Sequence, residues 1–375
     1  MNKAKRLLAG ISLWALGVEA AQAEYKLNLV KGVTETSHTV YGLHMYMLWV
    51  CVFIGVVVFG VMFYSILHHR KSQGAVAAHF HENATVEIIW TVIPFLILLS
   101  IAIPATSTMI DMADTVDSDM TIKVTGYQWK WRYEYLDEKI DFYSTLDASS
   151  NEARQLGAEV DLDKVPNYLL NVDNPLVIPA GKKVRFLFTG ADVIHSWWVP
   201  AFGWKKDTIP GFVTDGWVKV DKPGVYRGQC TELCGRDHGF MPIVVEVKKE
   251  EDYRKWLDDR KQKNVQVKQD AAKTFTKAEL MTKGEEVYKS SCAACHQAGG
   301  EGVKGTYPPI KGSPVAKGPV GNHVKLVLDG KGQMMPGFGK MLNPVELAAV
   351  ITYQRNAFGN NVGDLLQPKD IEASR

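Results

Sequence analysis

Apolar and polar positions follow three regimes along the chain. Met45 to Leu67 is a run of 23 residues without a charge, and Ile88 to Ile110 is a second of 23, interrupted only by Pro94 and Pro104. Each is long enough to cross a hydrocarbon core of about 30 Å as a helix. The pair therefore predicts a transmembrane hairpin. From Thr121 the pattern changes to short stretches of strand character. Thr121 to Leu136 mixes alternation with the aromatics Tyr127, Trp129, Trp131, Tyr133 and Tyr135. Further strands are expected at Leu169–Asp173, Leu176–Pro179, Lys183–Thr189, Gly216–Val220, Gly224–Gly228 and Pro242–Lys248, with turns at Asn174-Pro175 and Ala180-Gly181. This spacing predicts an all-β antiparallel sandwich or barrel. Asp137 to Lys164 is polar and reads as a surface insertion. A third regime begins at Lys277. Lys277–Tyr288 and Pro344–Ala357 have helical periodicity, with Gly- and Pro-rich loops between them, which predicts a small α domain.

The N-terminus adds a targeting signal. Lys3, Lys5 and Arg6 precede the uncharged Leu7–Val18, and Ala21-Gln22-Ala23 fits a small-x-small cleavage pattern. Residues 1–23 are expected to be a signal peptide. His68, His69, Arg70 and Lys71 close the first span, so the connecting loop is expected in the cytoplasm and both ends of the mature chain on the exported side. The expected division is 1–23 signal peptide, 24–115 N-terminal segment and two spans, 116–250 β domain, 251–275 charged linker and 276–375 α domain.

Charge decides little. The 43 basic and 41 acidic residues give a net charge of +2, which makes no case for nucleic acid. Removing residues 1–23 leaves 40 of each.

The chemistry lies in the cysteines. Of five, Cys51 sits mid-span and reads as a small apolar residue. The other four form two tight pairs in exported segments, where a disulfide is the ordinary expectation. Their neighbours argue otherwise. Cys292-Ala293-Ala294-Cys295-His296 is a C-x-x-C-H sequence. Its thiols suit thioether bonds to haem vinyl groups, and its imidazole suits the iron. A second iron ligand is expected downstream, at Met334 or Met335 in Gly332-Gln333-Met334-Met335-Pro336-Gly337. A thioether opposite a histidine raises the haem potential, as an electron carrier requires.

The second pair has the spacing C-x3-C-x3-H-x2-M, through Cys230, Cys234, His238 and Met241, and His195 stands thirty-five residues before Cys230. Thiolates and a thioether with imidazoles favour copper, whereas a methionine is a poor reason to choose zinc. Two cysteines four apart can both bridge a pair of metals.

Three motifs together resemble subunit II of cytochrome c oxidases over essentially residues 35–250. They are Gly228-Gln229-Cys230 through Met241-Pro242-Ile243, Gly126-Tyr127-Gln128-Trp129-Lys130-Trp131, and Asp192-Val193-Ile194-His195-Ser196-Trp197. The resemblance implies a multidomain membrane protein with a two-helix transmembrane hairpin and an all-β cupredoxin domain. It implies a dinuclear copper centre (CuA) held by His195, Cys230, Cys234, His238, Met241 and the carbonyl of Glu232. In the family the Glu232 side chain faces a magnesium site shared with subunit I. Trp129 corresponds to the tryptophan through which electrons reach the copper, and Glu87 to a glutamate at the entrance of the K proton channel. The last domain resembles all-α class I cytochromes c, in which the ligand methionine directly precedes proline, favouring Met335. In that family two helices cross with a glycine against an aromatic, and Gly284 and Tyr353 are the matching candidates. A haem domain fused to this subunit resembles the caa-type oxidases.

The implied function is electron transfer from cytochrome c, or another periplasmic donor, through haem c and CuA to subunit I. Subunits I and III, membrane lipid and proton translocation belong to that reading, as does a bacterial inner membrane with both redox domains on the periplasmic side. A membrane-tethered electron shuttle standing alone would leave Glu87 and the Glu232 side chain without a purpose. A nitrous oxide reductase does not fit a two-span anchor with a C-terminal haem, and a quinol oxidase subunit lacks the copper ligands present here.

Overall fold

A computed structural model describes residues 28–76, 79–155, 158–332, 335–339 and 341–374. The expected signal peptide and Met334 lie outside the described residues.

The first span is helix α1, Glu35–His68, and the second is α2, Ala84–Ala113. Thr34 and Ser37 form a capping box at the start of α1. The hydroxyl of Thr34 also donates to the carbonyl of Phe202 at 3.0 Å. At the same end of the hairpin, where α2 finishes, Trp217 donates its indole N–H to the Asp111 carbonyl at 3.0 Å. The β domain is thus tied to the N-terminal end of α1 and the C-terminal end of α2. Both helices present large exposed apolar side chains, such as Phe53 and Phe95, along their length. Surface of this kind needs lipid or another apolar partner.

The β domain contains β1 Met120–Tyr127, β2 Lys130–Tyr135, β3 Ile140–Ser144, β4 Leu176–Pro179, β5 Lys183–Gly190, β6 His195–Trp198, β7 Lys205–Thr208, β8 Thr214–Lys219, β9 Gly224–Cys230 and β10 Pro242–Lys248. They form two sheets with strand orders β3-β2-β1-β5-β8 and β4-β10-β9-β6-β7. The arrangement is a cupredoxin-like sandwich. It is not purely antiparallel, because β1 runs parallel to β5 and β4 parallel to β10. The chain between β1 and β5 is long enough to make that return. Alternation in β2 sends Trp131, Tyr133 and Tyr135 into the core, where they are buried. Their polar atoms are satisfied: Trp131 donates to the Met241 carbonyl at 3.2 Å and Tyr135 to the Val177 carbonyl at 2.7 Å. Removing one such aromatic costs roughly 3–5 kcal/mol.

Three expectations need correction. Asp137–Lys164 is not simply a surface insertion, since β3 within it buries Ile140, Phe142 and Ser144. A short helix, α3 (Ala148–Ala153), follows it. Leu169–Asp173 is not a strand: Asn167 and Leu169 take φ of 51° and 61°, which turns the chain and leaves one bridge from Val172 to Leu146. The charged segment, expected as a solvated helix plus linker, does form a helix, α4, Glu250–Ala271, but one face of it is not solvated. It buries Tyr253 and Leu257, and its Trp256 packs on Tyr135 with ring centroids 5.4 Å apart.

The last domain is built on α5, Lys277–Ser291, α6, Val320–Asp329, and α7, Pro344–Asn356. Capping boxes Thr276/Glu279 and Asn343/Glu346 start α5 and α7. The two helices cross at Gly284, where a Cβ would lie 2.2 Å from the Ala349 carbonyl oxygen and 2.6 Å from Tyr353 Cβ. Only glycine permits that approach.

Candidate functional site

Ladder pairing brings distant parts of the sequence together at one end of the sandwich. His195 opens β6, Cys230 closes β9, and Trp197 of β6 pairs directly with Cys230. Donor atoms of His195, Cys230 and Cys234 all lie within 4.8 Å of one another, and all three residues are buried. The Cys230 and Cys234 sulfurs are 3.8 Å apart and both thiols are free. His238 Nδ1 and Met241 Sδ each stand 3.5 Å from Cys234 Sγ. The Glu232 carbonyl oxygen is 3.4 Å from Cys230 Sγ, while the residue itself is exposed.

The electrostatics of this cluster call for a cation. A hydrogen bond from Cys234 and contact with His195 pull the Cys230 thiol far down, while the same hydrogen bond and burial push Cys234 far up. Two thiolates this close repel unless a positive charge lies between them. Burial disfavours a charged His195, but Asp192 and Cys230 outweigh it and raise its pKa. His195 Nε2 meets Asp192 Oδ1 at 2.9 Å, whereas its buried Nδ1 has no hydrogen-bond partner. That leaves one ring nitrogen free to ligate, with the other held by a carboxylate. Asp192 is itself fixed by the backbone N–H groups of Gln128 and Val193, both at 2.7 Å. The donor set, two sulfurs of cysteine, two imidazoles, a thioether and a carbonyl, fits soft copper better than tetrahedral zinc.

Trp129 touches this cluster. Its indole N–H donates to the Cys234 carbonyl at 3.1 Å, and the Gln128 amide donates to the same oxygen at 2.9 Å. Gly235, at φ +112°, allows that approach, since a Cβ would stand 3.2 Å from the Trp129 ring.

In the last domain, Cys292 caps the single helical turn Ala293–His296, so Cys292, Cys295 and His296 sit on one turn. His296 Nδ1 is 2.9 Å from the Pro308 carbonyl, which fixes it as the N–H donor and leaves Nε2 free. Burial lowers the His296 pKa, keeping the imidazole neutral as ligation requires. Met335 packs against this domain's core, and its backbone bridges Lys331. A cavity of about 1650 Å³ is lined by Cys295, Leu328 and Pro336 of this domain and by Trp129, Lys130 and Arg236 of the sandwich. The cavity is large enough for a large planar cofactor, and its lining mixes apolar side chains such as Leu328 and Met341 with charged ones such as Lys130 and Arg236.

Glu87 lies apart from both clusters, exposed in the first turn of α2, with Oε1 accepting from Asn83 N at 3.3 Å. Sequence reasoning assigned no role to Asp192, Gln128 or Pro308. An acid three residues before a ligand histidine was a readable signal for Asp192. The Pro308 carbonyl left none.

The family described as cytochrome c oxidase subunit II, periplasmic domain, matches residues 120–248. The subunit II transmembrane domain matches residues 22–107. Residues 279–353 match the family described as cytochrome c oxidase, cbb3-type, subunit III. The "probable cytochrome c oxidase subunit 2" of Rickettsia prowazekii is 41% identical over 58% of this chain and 66% of its own length, a little under two thirds. The protein of the same name from Rickettsia bellii is 42% identical over 57% of this chain and 76% of its own length. Among solved structures, the periplasmic domain of subunit II of cytochrome oxidase from Bradyrhizobium japonicum is 42% identical, over 40% of this chain and 99% of that one, with a TM-score of 0.35.

Proposed function

The chain belongs to the cytochrome c oxidase subunit II family, and from that premise we propose that it is the electron-receiving subunit of a membrane-bound haem-copper oxidase. In this reading electrons pass singly from a covalent haem c to a dinuclear copper centre and on to the oxygen-reducing subunit I, coupled to proton translocation. One observation carries the proposal. Trp129 donates a hydrogen bond to the carbonyl of Cys234, and it also lines the cavity that Cys295 lines from the other domain.

Copper and haem iron supply one-electron chemistry when bound. Cys230 and Cys234 would hold the coppers through their sulfurs, His195 and His238 would give one imidazole each, and Met241 and the Glu232 carbonyl would complete the set. Asp192 keeps the His195 tautomer that ligates. Cys292 and Cys295 would hold the haem covalently, and His296 and Met335 would be its iron ligands. The exposed Glu232 side chain is free to reach a magnesium ion shared with subunit I. Glu87, exposed in the first turn of α2, would be the entrance of a proton path along the second span. Partners in this reading are subunits I and III, lipid, and cytochrome c or another periplasmic donor. The sandwich is tied to one end of the hairpin, which supports a bacterial inner-membrane location with both redox domains on the periplasmic side.

The test is metal and haem analysis with optical and EPR spectra of the purified chain, beside Cys230→Ser. Two coppers with a delocalised mixed-valence signal and one covalent haem are expected in the parent, with the copper signal lost in the variant. Zinc, or a single copper, would refute the copper assignment. Copurification without an oxygen-reducing subunit would favour the tethered shuttle.

A further inference from the structure

Lys130 stands next to Trp129 at the start of β2, yet it points across the domain boundary. Its Nζ lies 5.5 Å from the ring centroid of Phe338, a buried core residue of the haem domain, and 5.5 Å from that of Tyr143. It lines the shared cavity beside Cys295 and Pro336. Other cations lining this cavity have polar partners. Arg132 pairs with Asp141 at 2.9 Å, Arg236 lies 3.7 Å from Asp237, and Arg260 donates to Asn174 at 3.0 Å. Among the described residues no carboxylate lies in salt-bridge contact with Lys130. Burial draws its pKa down to about 8, against the raising effect of Asp173, Cys292 and Asp192. A half-buried ammonium group with no carboxylate in contact is costly, and it lowers that cost by meeting an anion. Haem carries two carboxylates. The domains are held to this geometry by other contacts: Arg236 stacks over Tyr307 at 4.3 Å, and Asn151 donates to the Lys289 carbonyl at 3.1 Å.

We propose that Lys130 of the cupredoxin domain is a positioning residue for the haem of the neighbouring domain, supplying the cation opposite its carboxylates and raising its reduction potential. This rests on the haem c reading above. A cation near the haem favours the reduced form, because the arriving electron adds negative charge. At ~10 Å and an effective dielectric of about 20, the effect is roughly tenfold in the reduction equilibrium. The haem site is therefore completed by the domain it feeds.

The experiment is a redox titration of haem c in the purified oxidase complex for the parent, Lys130→Gln and Lys130→Arg, with the copper EPR signal as a check on folding. Lys130→Gln should shift the haem equilibrium about tenfold toward the oxidised form, about 59 mV for one electron. Lys130→Arg should restore most of it. An unchanged potential in Lys130→Gln, or an equal fall in Lys130→Arg, overturns the role of Lys130 while leaving the haem in place. A parent protein without covalent haem sinks the haem reading itself, and this inference with it.

Discussion

The copper cluster and the haem-binding segment use similar donors on different supports. His195 opens β6, Cys230 closes β9 and Met241 immediately precedes β10. Strand pairing and the hydrogen bond from Trp131 to the Met241 carbonyl therefore fix these ligands before any metal arrives. In the haem domain, His296 ends a single helical turn, and Met335 follows Gly330 and Gly332, at φ of +75° and +54°. Here Cys295 lines a cavity of about 1650 Å³ instead of a packed sheet. The contrast teaches that one centre is built by the fold and the other is finished by its cofactor. A cofactor bound to the folded state alone stabilises it by mass action, and most where the protein leaves most unfilled.

The largest expected effect breaks the symmetry between the two regions. Replacing Cys292 and Cys295 by serine should abolish covalent haem and markedly lower the melting temperature of the haem domain, read by optical spectra and calorimetry. Cys230→Ser should abolish the mixed-valence copper signal with little change in the melting of the sandwich. Equal destabilisation of both domains would remove the distinction. Next comes the helix crossing. Gly284→Val forces a Cβ into the Ala349 carbonyl and should cost about 3 kcal/mol or more in the haem domain alone, measured by denaturant unfolding.

A pH effect sharpens the same point. His323 is buried in the haem domain, bonded to Gln354 at 2.9 Å, and burial lowers its pKa from 6.5 to about 4. Below pH 6.5 the unfolded chain takes up a proton that the folded domain refuses until about pH 4. Stability is thus full above that window and falls through it, by up to about 3 kcal/mol. His323→Gln should flatten the dependence, while the sandwich should not share it. The smallest effect concerns tuning: Asp192→Asn should weaken copper binding by roughly 10–100-fold in a competition titration and leave the fold unchanged.

Much of this was readable from residue order, and the gaps have physical causes. The two spans and β10 announce themselves by uninterrupted apolar character or alternation. Strand β7, Lys205–Thr208, carries no apolar residue and exists because it pairs with β6. Tyr253, Trp256 and Leu257 have helical spacing, but the surrounding charge of α4 hides that they pack on the sandwich. The copper donors were legible as a set because four of the five side-chain donors fall within twelve residues. Lys130 and the Pro308 carbonyl were not: Lys130 faces another domain, and a backbone carbonyl leaves no mark on residue type.

The central claim is that the two centres form one intramolecular path. Stopped-flow reduction of the purified oxidase complex by a soluble one-electron donor, following haem and copper absorbance together, tests it directly. The account predicts that copper reduction follows haem reduction with a rate independent of protein concentration, as expected for tethered carriers. Copper reduction that precedes the haem, or scales with protein concentration, would contradict it.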